Sequence, residues 1–121
     1  MNNPQIPTVV NFKTVKAHWN SASRKWDSES YLYIGRKVAY YNLAQSVWAN
    51  PFRLTDEAKR GSTLEKYRTH ILYKLAFYYL DISTLTGKIL VCWCKGTHGT
   101  IDVPCHGDIL IEMFNEYYPE T

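Results

Sequence analysis

The sequence predicts a single compact α/β domain over residues 1–121, with a small, mainly parallel sheet, packed helices and a Rossmann-like arrangement. Residues 88–94 form an apolar run, which is typical of a strand that is buried on both faces of a parallel sheet. A capping box at residues 62–65 begins a stretch whose apolar residues recur at steps of three and four. A second amphipathic stretch at 108–118 predicts another helix, and the chain length suits one domain.

The segment before the first helix contains two predicted strands and two long connections. Residues 1–7 are expected to form a loose arm, and alternating apolar residues predict a strand over 9–15. Residues 16–29 are polar apart from isolated tryptophans, which predicts a long loop or a short irregular helix. A β-rich run that ends at a glycine predicts a strand over 31–35. Residues 37–56 are then expected to form a long loop, of the kind that often carries function.

Both helices have a clear apolar face. The first is expected to begin at the capping box, and its stripe comprises Leu64, Tyr67, Ile71, Leu75, Tyr78 and Ile82. The second carries its apolar residues on one face, and these are Ile109, Leu110, Met113, Phe114 and Tyr117. Asp108 lies in its first turn, where a negative charge suits the helix dipole.

Composition and charge limit the classes of partner. The net charge is only +3 and no block of five basic residues occurs, which argues against binding to extended nucleic acid. No secretion signal and no apolar run of membrane-spanning length is present, so no membrane association is expected. The three cysteines are interpreted as thiols of a reducing compartment, and a cytoplasmic location is expected.

Polar and reactive residues follow two predicted strands. Arg36 follows the strand that ends near Gly35, and Cys94 closes the strand over 88–94. If the two strands are parallel, Arg36 and Cys94 share one rim with Cys105 and His106, which precede the last helix. Free amides at a helix start bind anions, and Gly107 is expected to let a ligand approach the backbone. The pattern predicts a phosphate or carboxylate pocket; the alternative is that Arg36 pairs with a surface acid.

The same rim contains residues that could form a metal site or supply a cysteine nucleophile. Cys94, Cys105 and His106 could supply three ligands, with Cys92 or His98 as a fourth. The Cys-x-Cys spacing differs from that of a zinc knuckle, so no metal and no other cofactor is predicted. Cys105 at a helix start fits a nucleophile, but no base is identified beside it.

The long loop contains a second set of candidates. Trp48 and Phe52 could stack on a base or another ring, and the amide of Asn50 could hydrogen-bond to its edge. The alternative is a hydrophobic plug that holds the loop to the core, a role favoured for Phe52. His70 lies within the predicted helix beside its apolar stripe and is interpreted as structural.

The motifs together resemble the phage and bacterial family known as domain of unknown function 4326. The resemblance covers about residues 9–118 and is carried by Gly35, Arg36, Asn50, Pro51, Phe52, Arg60, Tyr67, Cys92, Trp93, Cys94, Cys105, His106, Gly107 and Asp108. It implies a compact α/β domain and an origin in phages or their hosts, without an established reaction. For a phage-encoded protein, the expected location is the cytoplasm of the host cell. The ten residues between the Cys-Trp-Cys and Cys-His elements form a longer link than the family tends to have.

Two functional hypotheses follow. In the first, the pocket binds a nucleotide or ADP-ribose-like ligand and acts at its N-glycosidic bond, as a hydrolase or transferase. Arg36 and the helix start would hold phosphate, Trp48 and Asn50 the base, and His106 or Asp108 would act as the general acid or base. In the second, a non-catalytic counter-defence protein sequesters a signalling nucleotide or binds a host protein. A homo-oligomer is compatible with both.

Overall fold

A computed structural model describes residues 5–52, 60–93 and 105–119. In chain order, its strands and α-helices are β1 (Thr8–Asn11), α1 (Phe12–Val15), β2 (Trp19–Asn20), β3 (Lys25–Trp26), β4 (Tyr31–Tyr33), α2 (Arg60–Ala76), β5 (Ile89–Cys92) and α3 (His106–Tyr117). Short 3-10 turns occupy Lys16–His18, Ala39–Tyr41 and Ile82–Leu85. The predicted α/β class is therefore confirmed.

The main sheet has three parallel strands in the order β1-β5-β4, so β5 is central. Leu90 of β5 pairs with Val9 on one side and with Leu32 on the other. This confirms the strand predicted from the apolar run at 88–94. Since all three strands are parallel, their carboxyl ends meet at one edge of the sheet.

Each face of the sheet packs against a different layer. Leu90 and Cys92 lie in the larger core with apolar residues of α2, α3 and the Ile82–Leu85 turn. Val91 points to the opposite face, where Phe12 and Leu43 pack with partly buried aromatic residues: Trp19, Trp26, Tyr31, Tyr33, Tyr41 and Trp93. The alternation of side chains along one strand thus separates a helical layer from an aromatic layer.

The segment over 5–30 differs from its predictions. The predicted strand over 9–15 is wrong beyond Asn11, whose side chain accepts from the Lys13 N–H at 2.9 Å and so caps α1. Residues 16–29, predicted as a long loop or a short irregular helix, contain a 3-10 turn at Lys16–His18 and an antiparallel hairpin in which Trp19 pairs with Trp26. Residues 5–7 of the predicted loose arm contact the domain, and Gly87 N–H donates to the Gln5 carbonyl at 2.9 Å.

Helix α2 begins two residues before the predicted capping box and ends earlier than its apolar stripe suggested. Tyr78 has a φ of 62° and is 93% exposed, so it is not part of the buried stripe. Its N–H donates to the Leu75 carbonyl at 3.2 Å, and Tyr79 N–H donates to the Lys74 carbonyl at 2.8 Å. This bonding pattern ends a helix, and it leaves Ile82 to reach the core from a separate turn.

Candidate functional site

A cavity of about 240 Å³ lies where the carboxyl ends of β4 and β5 meet the starts of α2 and α3. Its described lining residues are Gly35, Arg36, Val38, Asn50, Phe52, Thr63, Leu64, Trp93, Cys105 and His106. The parallel orientation of β4 and β5 brings Arg36 together with Cys105 and His106, as the predicted rim required. Cys94, predicted at the same rim, lies outside the described residues.

Arg36 is held at the cavity wall by two backbone carbonyls. Its Nε donates to the Asn50 carbonyl at 2.7 Å, and its Nη2 donates to the Phe52 carbonyl at 2.8 Å. Neither contact neutralises its charge. Across the described parts of the chain, no carboxylate lies within 4.0 Å of the guanidinium. The surface ion pair considered as an alternative for Arg36 is thus absent from those parts.

His106 is buried and forms part of the cavity wall. One of its ring nitrogens, Nε2, lies 2.8 Å from the Ile34 carbonyl, an arrangement that requires the proton on Nε2. The ring meets the Tyr67 ring edge-on at 5.2 Å between centroids, and the Tyr67 hydroxyl donates to the Trp48 carbonyl at 2.7 Å. These contacts fix the imidazole between β4 and α2.

The start of α3 is a capping box built from two of the predicted site residues. Cys105 Sγ accepts from Gly107 N–H at 3.2 Å, and Asp108 Oδ2 accepts from Cys105 N–H at 3.0 Å. Asp108 therefore serves the helix cap and is not among the described residues that line the cavity. This position does not support the general acid or base role predicted for Asp108, and His106 is the member of that predicted pair at the cavity.

Gly107 was expected to admit a ligand, but it serves packing instead. A Cβ at this position would lie 2.5 Å from Val9 Cγ2 and 3.2 Å from Ile34 Cδ1. Only a residue without a side chain lets α3 approach β1 this closely. Gly35, by contrast, does line the cavity, and a Cβ there would overlap the Tyr33 ring.

The two aromatic residues of the long loop, Trp48 and Phe52, take positions opposite to those predicted for them. Trp48 was predicted to stack on a ligand, but it is 4% exposed in the larger core and is not among the cavity's described residues. Phe52, which was favoured as the plug, is partly exposed and lines the cavity. Asn50 also lines it, and its Oδ1 accepts from Phe52 N–H at 2.9 Å.

The site prediction from sequence omitted Val38, Thr63, Leu64 and Trp93. Trp93 lies near the end of the apolar run that predicted the central strand and directly follows β5 in the structure, so its place at a strand end was a usable signal. Its indole Nε1 donates to the Tyr33 hydroxyl at 2.9 Å. Burial raises the pKa of Tyr33 to about 12, so this phenol stays neutral at physiological pH and supports the wall without adding charge.

The metal prediction can be tested by elemental analysis. In the described ranges, no group of three His, Cys, Asp or Glu residues could hold a metal ion, while Cys94 and His98 lie outside those ranges. We expect purified protein to carry less than one zinc per chain, because the Cys-x-Cys spacing differs from that of a knuckle. One zinc per chain, lost together with the fold on chelation, would contradict this prediction.

No helix within the described residues is both long and apolar enough to cross a membrane.

Comparisons with known proteins are consistent with the predicted family. The chain is 33% identical over 87 residues to "Uncharacterized protein R718" of Acanthamoeba polyphaga mimivirus, an alignment that covers 69% of this chain and 65% of that protein. This viral relative is consistent with a phage or other viral origin.

No solved structure matches the chain, so its Rossmann-like character stays a prediction. A family model described as "Domain of unknown function (DUF4326)" matches residues 16–116, which is most of the chain. The motifs Arg36, Asn50–Phe52 and Cys105–Asp108, from which the resemblance was inferred, all fall within that match. The chain therefore belongs to the family described as domain of unknown function DUF4326.

Proposed function

We propose that the cavity binds a compact anionic ligand that carries a flat ring, of the nucleoside monophosphate class. The observation that carries this proposal is that Arg36 is partly buried and its guanidinium has no carboxylate partner among the described residues. A cation that is partly removed from water is unfavourable unless it is paired. An anionic ligand would supply the missing charge.

The way in which Arg36 is held favours phosphate or carboxylate recognition. Its bonds to the carbonyls of Asn50 and Phe52 use Nε and Nη2, so the planar group is oriented before a ligand arrives. A guanidinium presents its donors in a fixed fork that matches the oxygens of these anions. Preorganisation of this kind lowers the entropy cost of binding.

The remaining wall suits a ring. Phe52 and Trp93 contribute aromatic surface, on which a base can stack with little dependence on its identity. Thr63 adds a hydroxyl group to the lining, which is otherwise largely apolar. The cavity volume of about 240 Å³ lies below the roughly 300–1,000 Å³ of common ligand sites, which favours a mononucleotide over an ADP-ribose-like molecule.

Binding without turnover is the activity that the geometry supports best. Cleavage of a glycosidic bond commonly relies on a carboxylate as nucleophile, general acid or general base, and none of the described lining residues is acidic. A protein that binds a nucleotide without consuming it would sequester it, which is the proposed accessory or counter-defence role. Action at the N-glycosidic bond is the second candidate, and the observation that favours it is the place of His106 in the cavity wall.

The Arg36 contact can be tested by isothermal titration with adenosine and adenosine 5′-monophosphate. We expect the monophosphate to bind more tightly than the nucleoside, and Arg36→Gln to remove about 1.5–3 kcal/mol of that binding, which is the range for hydrogen bonds to charged groups. Glutamine keeps an amide donor for the loop carbonyls but has no charge. The hydrogen bonds of Arg36 to the Asn50 and Phe52 carbonyls also hold this loop in place. Arg36→Ala should therefore lower the free energy of unfolding as well.

The matched control is Arg68→Gln. Arg68 forms surface ion pairs with Glu112 at 2.9 Å and Glu116 at 3.8 Å, away from the cavity lining, so its replacement should leave the affinity unchanged. Full affinity of the folded Arg36→Gln variant for the monophosphate would refute the proposed site. Mass spectrometry of the recovered ligand then separates the two candidates, because free adenine would appear only if the glycosidic bond is cleaved.

A further inference from the structure

Two buried thiols lie next to each other, and one of them belongs to a residue that lines the cavity. Cys92 is the last residue of β5 and Cys105 is the N-cap of α3, and their Sγ atoms are 3.4 Å apart. Neither forms a disulfide. We propose that Cys92 and Cys105 are a redox-active dithiol that a small peroxide oxidises to an intramolecular disulfide.

The positions of the two sulfur atoms favour this reaction over simple core packing. A disulfide bond is about 2.04 Å long, so the sulfurs need to approach by only ~1.4 Å from their present separation. The two residues come from different elements, so the bond would join the end of β5 to the start of α3. In a reducing compartment, protein disulfides are usually transient and serve catalysis or redox sensing.

The cavity determines which thiol reacts first. Cys105 is 1% exposed overall but lines the cavity, whereas Cys92 is not among the described lining residues. A peroxide is small enough to enter a space of about 240 Å³. Cys105 is therefore assigned as the thiol that meets the oxidant, and Cys92 as the resolving thiol behind it.

The two steps balance without any other reactant. The Cys105 thiol attacks one oxygen of hydrogen peroxide, the O–O bond breaks, and Cys105 sulfenic acid and one water molecule result. The Cys92 thiol then attacks Cys105 Sγ, the S–O bond breaks, and the disulfide and a second water form. Two thiols lose two electrons and two protons in total, and the peroxide gains them.

Oxidation of the intact protein with one equivalent of hydrogen peroxide tests this proposal, with the number of free thiols determined before and after the reaction. We expect two of the three thiols to disappear with a mass loss of about 2 Da, and a reductant to restore both. Trypsin cuts after Lys88 and Lys95, so the disulfide should link peptide 89–95 to the peptide that contains Cys105. Because Cys94 shares peptide 89–95, a Cys94→Ser variant assigns the bond, and it should form the same link.

Two further variants separate the roles of the thiols. In Cys92→Ala the sulfenic acid cannot be resolved, so dimedone should label Cys105; in Cys105→Ser, where serine preserves a helix cap, dimedone should leave Cys92 unlabelled. A link through Cys94 instead of Cys92 would overturn the proposal, as would persistence of all thiols. Release of one zinc per chain on oxidation would also overturn it, since the thiols would then be metal ligands.

The dithiol does not depend on the proposed function, but the two share the cavity wall. If adenosine 5′-monophosphate binds there, a saturating concentration should slow the oxidation of Cys105 severalfold, an effect that rests on the proposed function. If the disulfide forms and adenosine 5′-monophosphate does not slow the oxidation of Cys105, the result counts against nucleotide binding alone. Loss of the disulfide reaction with normal titration of the nucleotide would count against the dithiol alone.

Discussion

Leu90→Asp is expected to unfold the protein. Leu90 is fully buried in the central strand, between Val9 of β1 and Leu32 of β4, and it packs in the larger core. An aspartate there would place a charge without a partner among apolar side chains, a change that costs several kcal/mol. We expect the free energy of unfolding to fall by at least about 4 kcal/mol, the size of the largest single-substitution effects. Since domains of this size are stable by about 5–15 kcal/mol, this loss removes most of the stability at the lower end of that range. Urea denaturation followed by circular dichroism measures it.

Leu72→Asp is the matched control for this prediction. Leu72 lies on α2 and is 45% exposed, so the same substitution there should change the unfolding free energy by about 1 kcal/mol or less. Leu90→Met, which conserves volume and polarity, should cost less than about 1.5 kcal/mol. A soluble Leu90→Asp variant with an unchanged melting temperature would refute the assignment of β5 as the central strand.

Gly107→Val is expected to lower the unfolding free energy by about 3 kcal/mol, at the upper end of the usual cost of overpacking. A Cβ at Gly107 would already overlap Val9 Cγ2, and a branched side chain adds two more carbon atoms in the same space. Val9 is β-branched and has little freedom at χ1, so relief of the overlap requires an unfavourable rotamer of Val9 or a shift of the backbone of α3 or β1. Thermal and urea denaturation of the purified variant measure the loss.

A double-mutant cycle identifies the cause of this loss. Gly107→Ala alone should be destabilising, although alanine is favoured over glycine within a helix by roughly 0.5–1 kcal/mol. In a Val9→Ala background the overlap with Val9 is removed, so Gly107→Ala should become nearly neutral or stabilising. Equal costs in both backgrounds would show that Val9 is not the obstacle, and that Gly107 is required for another reason.

The elements with a strong local pattern were predicted well. The apolar run at 88–94 predicted the central strand, and the amphipathic run at 108–118 predicted α3, which spans His106–Tyr117. The site prediction placed Arg36, Cys105 and His106 at one rim because parallel strands end at the same edge. Local patterns suffice here because side-chain periodicity directly reports which face of an element is buried.

The predictions that failed depend on contacts distant in sequence or on backbone geometry. The hairpin of Trp19 and Trp26 forms because both rings join an aromatic layer centred on Phe12 and Val91, which no short segment reveals. Helix α2 ends before its apolar stripe because Tyr78 takes a left-handed conformation that periodicity does not report. Tertiary packing can override local preference in this way.

For the site, the amino-acid sequence alone determined which chemical groups are available and which strand and helix ends carry them. Only the tertiary structure decided what each group does. Trp48 is buried while Phe52 lines the cavity, and Asp108 caps α3 while His106 lines the cavity. The physical reason is that burial and hydrogen bonding depend on which elements pack together, and a residue's neighbours in space here come from positions far away in the chain.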